Sequence, residues 1–307
     1  MVIDGRKISK EIIEKLRKEP KIKKFLGAFL VGDNPASISF LKQKEKVAQE
    51  LEINFRLYKF PETISQDELR KEILKIANHK TCGGIIVQLP LPEHINKYYV
   101  LNVIPREKDV DVLGERALGA FYNDRNPVLP PAVGVVIKTI RAHLQDLREA
   151  PAGVVSLVSE GVTSRGGRMA SAAGAEEHPV LEKLASARVM VVGLGFLVGK
   201  PISTWLMGKA KEIYLFDIGS DLSSSVSGLK QADLVISGVG KAGLIKSEIL
   251  KQGTGVIDFG YSEINGKLAG DLDLSGNISK LSFYTPTPGG TGPILVAQLF
   301  ENFYKLN

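Results

Sequence analysis

An amine, an amide and an acid in the first half of the chain have the chemistry to share one reaction. Ser37, Phe40 and Lys44 stand at i, i+3 and i+7, a spacing that on a helix places an aromatic ring and an ammonium group on one face. A lone helical lysine is most often a solvated charge, because burying an ammonium is costly. Partial burial would instead lower its pKa and make Lys44 a usable general base or acid near neutrality. Gln88 lies in Val87-Gln88-Leu89-Pro90-Leu91-Pro92, where a strand runs into a proline-stiffened turn. A neutral amide there can orient an amine without fixing it in its charged form, or can simply bond the loop backbone. Asp111, in Lys108-Asp109-Val110-Asp111, can accept from adjacent N–H donors of a flat heterocycle, or can serve as a helix cap or surface acid.

The second half carries a different signal. Arg188 to Val192 reads as an apolar strand that runs straight into Gly193-Leu194-Gly195-Phe196-Leu197-Val198-Gly199 and a helix start. Glycines there let the backbone turn tightly and approach a pyrophosphate, whose charge is stabilised by amides at the helix N-terminus. The spacing G-x-G-x-x-x-G is one residue longer than the usual fingerprint, so by itself it also fits a plain glycine turn. Asp217 ends the next strand 24 positions after Gly193, near the distance expected of an acid that binds an adenosine ribose. A carboxylate accepts from both ribose hydroxyls and repels a 2′-phosphate, which favours NAD over NADP. Thr285-Pro286-Thr287-Pro288-Gly289-Gly290-Thr291-Gly292-Pro293 makes a rigid loop with exposed amides at a helix start, suited to close approach to a ligand.

Other chemistries find little support. The triphosphate-binding loop fails because Pro201 stands where a magnesium-binding hydroxyl is needed. The only cysteine, Cys82, can close no internal disulfide, and the four histidines lack ligand spacing, so no metal is expected. No G-x-S-x-G elbow occurs. With 40 Lys and Arg against 34 Asp and Glu the net charge is +6, spread along the chain, which suits a small anionic ligand better than nucleic acid. No apolar run approaches a membrane span and the first residues do not form a secretory signal, so a cytoplasmic protein with no membrane partner is expected.

These residues must be positioned by a fold larger than one comfortable core, since the chain has 307 residues. Helical patterns near 7–18, 37–50 and 66–79 alternate with the apolar runs Leu26 to Val31, Ile53 to Phe60 and Gly84 to Leu89, which predicts α/β architecture with a largely parallel sheet. A helix is predicted from Val133 to Leu147, followed by an Ala-, Gly- and Ser-rich stretch, Ala150 to Glu177, that reads as a loop or linker. Strands at Arg188 to Val192, Glu212 to Phe216, Asp233 to Ser237 and Gly255 to Asp258 have the rhythm of a dinucleotide-binding sheet. A closing helix is predicted from Ile294 to Tyr304. The expected division is residues 1–147 with 286–307, a linker or insertion at 148–178, and a Rossmann-like domain at 179–285, with the chemistry in the cleft between the domains.

Taken in order along the chain, V-G-D-N-P-A-S at Val31 to Ser37, Lys44, V-Q-L-P-L-P at Val87 to Pro92 and K-D-V-D at Lys108 to Asp111 resemble the methylenetetrahydrofolate dehydrogenase/methenyltetrahydrofolate cyclohydrolase family. V-G-K-P at Val198 to Pro201, I-D-F-G at Ile257 to Gly260, G-D-L-D at Gly270 to Asp273 and the loop from Thr285 to Pro293 agree. The resemblance implies oxidation of 5,10-methylenetetrahydrofolate by a nicotinamide cofactor, then hydrolysis of the methenyl cation to 10-formyltetrahydrofolate. It implies that Lys44 is the catalytic amine, that Gln88 tunes it and that Asp111 holds the pterin. Phe40, Val87 and Leu89 would contact substrate, and Pro288, Gly289, Gly290 and Gly292 would close over it. Gly193, Leu194, Gly195, Val198, Gly199, Asp217, Ile218 and Tyr261 would hold the dinucleotide. It also implies a homodimer.

Four departures bear on that reading. Phe40 occupies the family's tyrosine position, which keeps ring stacking but loses a hydroxyl. Gly193-Leu194-Gly195 replaces Gly-Arg-Ser and so removes an arginine that would pair with a 2′-phosphate. Pro130-Pro131-Ala132-Val133 stands for Pro-Cys-Thr-Pro, and Val112-Leu113 for Gly-Phe. The alternatives are an NAD-linked dehydrogenase without hydrolytic activity, a shikimate-dehydrogenase-like enzyme, which leaves Gln88 and its prolines unexplained, and a folate- or nucleotide-binding protein that has lost turnover.

Overall fold

The computed structural model describes residues 1–149, 174–217, 222–264 and 266–307. The first half contains α1 (Gly5–Leu16), β1 (Phe25–Val31), α2 (Pro35–Glu50), β2 (Phe55–Phe60), α3 (Gln66–Ala77), β3 (Cys82–Val87), α4 (Lys97–Leu101), α5 (Glu115–Tyr122) and α6 (Pro131–Glu149). The second contains α7 (Gly174–Ala185), β4 (Arg188–Val192), α8 (Gly199–Leu206), β5 (Glu212–Phe216), α9 (Leu222–Gln231), β6 (Leu234–Ser237), β7 (Ile245–Lys246), β8 (Gly255–Asp258), β9 (Ser262–Ile264), β10 (Lys267–Ala269), β11 (Leu272–Asp273), β12 (Phe283–Tyr284) and α10 (Thr291–Lys305). The α/β expectation holds, with parallel sheets in both halves.

Two compact units divide the chain. The Lys44 unit is Ser9–Gly134 with Pro293–Asn307, and the glycine-turn unit is Met1–Ile8 with Val135–Gly292. This division differs from the one read in the sequence. The N-terminus joins the second sheet because Ile3 N donates to Tyr284 O at 2.9 Å and Tyr284 N to Met1 O at 3.0 Å, extending β12. The 286–292 loop belongs to the same unit. The expected loop from Ala150 to Glu177 ends in a helix, since α7 starts at Gly174; residues 150–173 lie outside the described residues.

In the Lys44 unit the parallel sheet runs β2-β1-β3. The unbroken apolar sequence of β1 follows from its central place: it is buried along its whole length, as a strand covered on both faces must be. β2 is an edge strand and is less buried, with Arg56, Leu57 and Lys59 exposed. Phe25, Phe29, Phe300 and Phe303 are the largest fully buried side chains, so α10 completes this core.

In the glycine-turn unit five parallel strands run β12-β8-β6-β4-β5. Met190, Val235, Val256 and Leu229 pack one face of this sheet. With every strand parallel, the carboxyl ends of β4, β5, β6 and β8 open on one edge, where α/β sheets of this kind bind ligands.

Candidate active site

Lys44 owes its position to the start of α2. Asn34 accepts the backbone N–H of Ser37 at 3.0 Å and Pro35 occupies the first turn, which fixes the helix register. Ser37, Leu41, Lys44 and Ala48 then lie on the buried face. Only 5% of Lys44 is exposed, so the solvated-charge reading fails.

Its Nζ donates to Gln88 Oε1 at 3.1 Å. Gln88 follows β3 directly, where its backbone N–H bonds Phe29 O at 2.9 Å. Its side-chain Nε2 donates to Leu89 O at 2.8 Å, which leaves the oxygen facing the lysine. The two uses envisaged for Gln88 are therefore both present. The Phe40 ring centroid is 5.2 Å from Lys44 Nζ, a cation–π contact. Burial lowers the Lys44 pKa, against the opposing charge of Asp111. Burial likewise pushes the Asp111 carboxyl up, and the lysine pulls it back. Amine, amide, ring and acid thus meet in one unit. Val87 is buried at the end of β3, and Leu89 is half-buried in the cis-proline turn.

Asp109, two positions before Asp111, holds the turn that leads into α5. Asp109 Oδ2 accepts from Leu113 N at 3.0 Å and from Gly114 N at 2.8 Å, at the start of α5. The turn includes Val112 at φ 57°, and Asn302 of α10 donates to Val110 O at 2.8 Å. Burial pushes Asp109 up to about 7.

In the other unit, Gly193 has φ 87° and its N–H donates to Phe216 O at 2.7 Å. Gly199 opens α8 so close to the turn that a Cβ there would lie 1.9 Å from Gly193 O. Gly195 has open space around it. Leu194 N donates to Asp217 Oδ1 at 3.2 Å, so the acid at the end of β5 reaches the glycine turn. Val198 caps α8 without a side-chain bond. A turn closed by backbone contact and bordered by an acid at the next strand end fits a dinucleotide. Tyr261 is exposed just after β8, and Ile218 lies outside the described residues.

Two buried acids that the sequence reading left without roles organise this edge. Asp258 accepts from Gly260 N at 2.7 Å and Leu272 N at 2.9 Å, and burial pushes its pKa up to about 6. Asp271 accepts from Ser237, Val239 and Lys241. Their signal was the pair of motifs I-D-F-G and G-D-L-D. The 285–292 loop is tied to the same place: Thr285 Oγ1 accepts from Asp258 N at 2.7 Å and Thr291 Oγ1 donates to Asp258 O at 2.9 Å. Within it Pro288 is exposed, Gly289 has φ 98°, Gly290 N bonds Pro286 O at 2.8 Å and Gly292 is open. Among the described residues no three His, Cys, Asp or Glu side chains gather as metal ligands, and no helix is long and apolar enough to cross a membrane.

Residues 3–111 match the family profile of the tetrahydrofolate dehydrogenase/cyclohydrolase catalytic domain, and residues 178–307 that of its NAD(P)-binding domain. The chain belongs to the tetrahydrofolate dehydrogenase/cyclohydrolase family. The bifunctional protein FolD of Bacillus licheniformis is 33% identical over 99% of this chain and 96% of its own length. The crystal structure of the bifunctional FolD enzyme from Campylobacter jejuni superposes with a TM-score of 0.82 at 30% identity, covering 100% of this chain and 98% of that one. The Trypanosoma brucei enzyme, solved with NADP and an inhibitor, shares the fold at a TM-score of 0.81 and 24% identity, over 100% of this chain and 96% of that one. This tetrahydrofolate dehydrogenase/cyclohydrolase is thus an oxidoreductase and a hydrolase of folates that uses NAD(P).

Proposed function

We propose that Lys44, Gln88 and Asp111 carry the folate chemistry, and that the glycine turn takes NAD in preference to NADP. The observation that supports the first part best is the 3.1 Å bond from the buried Lys44 amine to Gln88 Oε1. Asp111 accepts the N–H donors of the pterin, and Phe40 offers its face beside the amine. When bound, the dinucleotide accepts a hydride from the methylene carbon. That step asks the protein chiefly for orientation.

Hydrolysis asks for proton transfer. Burial favours neutral Lys44, which takes a proton from water as the water oxygen bonds the methenyl carbon. The ammonium returns that proton to N5 as the carbon–N5 bond breaks. Collapse of the carbinol to the N10-formyl group releases the net proton. Gln88, whose amide nitrogen is committed to Leu89 O, holds the amine through an uncharged oxygen, so it does not lock Lys44 as a cation.

On the cofactor side, Asp217 beside the Leu194 amide accepts ribose hydroxyls and repels a 2′-phosphate. Leu194 supplies no positive charge there. Following methenyl formation and methenyl decay separately, with NAD and NADP compared, tests both parts. Both steps are expected, with kcat/KM at least about tenfold higher for NAD, the equivalent of one well-placed charge. A higher value for NADP overturns the cofactor reading. Oxidation without methenyl hydrolysis overturns the role of Lys44 and leaves a dehydrogenase alone.

A further inference from the structure

We propose that Asp271 is a positioning residue for the bound dinucleotide, acting through the segment Gly238 to Lys241; this rests on the reading of the glycine turn as the cofactor site.

Asp271 is wholly buried and touches the segment that leaves β6 at three points. Its Oδ2 accepts from Ser237 Oγ at 2.6 Å and from Val239 N at 2.8 Å, and its Oδ1 accepts from Lys241 N at 2.7 Å. The three donors bracket Gly238 and Gly240, the second of which has φ 75°. A loop with two glycines in four residues has little conformational preference of its own, so its shape is set by what it bonds. Here one carboxylate supplies three acceptor positions at once.

This segment is the wall behind the glycine turn. β6 lies beside β4 in parallel, so both leave the sheet at the same edge. Gly238 N donates to Val192 O at 2.9 Å. A Cβ at Gly193 would meet Gly238 O at 2.9 Å and Val239 Cγ2 at 3.0 Å, and a Cβ at Gly238 would meet Val198 Cγ1 at 2.9 Å. There is no slack between the two loops, so a shift in one displaces the other.

Asp271 is itself fixed. Its carbonyl accepts from Ile245 N at 2.8 Å, and Gly260 passes so close that a Cβ there would lie 2.3 Å from its carboxyl carbon. All three partners of the carboxylate are donors. An asparagine in its place offers one oxygen and turns an NH2 group toward at least one of them, leaving a buried donor without an acceptor.

Methenyl hydrolysis consumes no dinucleotide and its proton transfer is assigned to Lys44 and Gln88 of the other unit, so it separates positioning from mere support of the fold. In the full-length chain, Asp271→Asn is expected to raise the dinucleotide KM about tenfold or more, the effect of one charge-assisted bond lost in a buried site, while the hydrolysis rate and folate KM stay within about twofold of wild type. Ser237→Ala removes one donor of three and is expected to raise that KM about two- to fivefold. An unchanged dinucleotide KM in Asp271→Asn overturns the proposal. If that variant fails to fold and loses both activities, Ser237→Ala decides: a raised dinucleotide KM supports positioning, and an unchanged one overturns it. A wild-type chain that binds neither NAD nor NADP overturns the underlying cofactor reading, a result distinct from a wild type that binds and a variant that binds equally well.

Discussion

In the Lys44 unit the group proposed to react is one buried side chain that bonds Gln88 and faces one opposing charge, Asp111. In the glycine-turn unit the groups proposed to face the dinucleotide are backbone amides and the Asp217 carboxylate, and the buried acids behind them accept several donors each. The contrast follows from what each has to do. A base must be able to lose its proton, so it is buried and its hydrogen-bond partner is uncharged. A phosphate cradle must only keep its shape, so its buried acids are placed where they hold the backbone.

The sharpest way to break this contrast is to remove the amine. Lys44→Met keeps the aliphatic stem and deletes the charge. It should lower methenyl hydrolysis by about 10²- to 10⁴-fold, the usual contribution of a positioned general base. The oxidation step should fall much less, because it depends on orientation of two rings. Hydrolysis measured at saturating methenyl substrate checks this; an undiminished rate would refute the role given to Lys44.

The complementary lesion lies in the other unit. Gly199→Ala would place a Cβ 1.9 Å from the carbonyl of Gly193, a clash with backbone that no rotamer relieves. Oxidation should fall by about tenfold to a hundredfold through the dinucleotide KM, in keeping with misplacement of a binding element by about an ångström. Hydrolysis should persist. Equal loss of both activities would mean that the two units do not divide the chemistry in this way.

How much of this was legible in the sequence follows the same contrast. The apolar runs and their glycine and proline punctuation marked β1, β4, β5, β6 and β8 closely, because unbroken apolar stretches are what a parallel sheet covered on both faces requires. The spacing of Ser37, Phe40 and Lys44 also carried the shared helix face. The two-residue strands β7, β11 and β12 left no periodicity to read, and α5 begins at Glu115 after Gly114, which makes no side-chain cap bond. Its first amide, Glu115 N, donates to Asn102 Oδ1 at 2.7 Å, 13 positions earlier, and Asp109 holds the turn before it, across a positive φ at Val112. Local patterns do not encode that reach. Asp258 and Asp271 were visible only as motif letters. Their roles depend on partners 14 and 34 positions away, which no helical or strand period connects.

A last effect, read on stability and not on rate, concerns pH dependence, and it probes how tightly the glycine-turn unit is held. Burial first, and the nearby charge of Asp271 as well, raise Asp258 from an ordinary 3.8 to about 6, despite the amides it accepts from. A carboxyl whose pKa is higher in the folded chain binds its proton more tightly there than when unfolded. Between about pH 4 and 6 the folded state therefore holds more protons, and stability falls as pH rises through that window. The full contribution is on the order of 2–3 kcal/mol. Asp109, raised to about 7, adds the same sign over a slightly higher range, so wild type alone cannot isolate Asp258. Asp258→Asn cannot ionise and keeps one acceptor, which gives it a fixed loss but no titration. The difference in unfolding free energy between wild type and variant, measured in urea at pH 4 and at pH 7, should shift against wild type as the pH rises. A difference that stays flat would mean that Asp258 ionises freely, and that the buried acids of this unit are cushioned well enough to carry charge without cost.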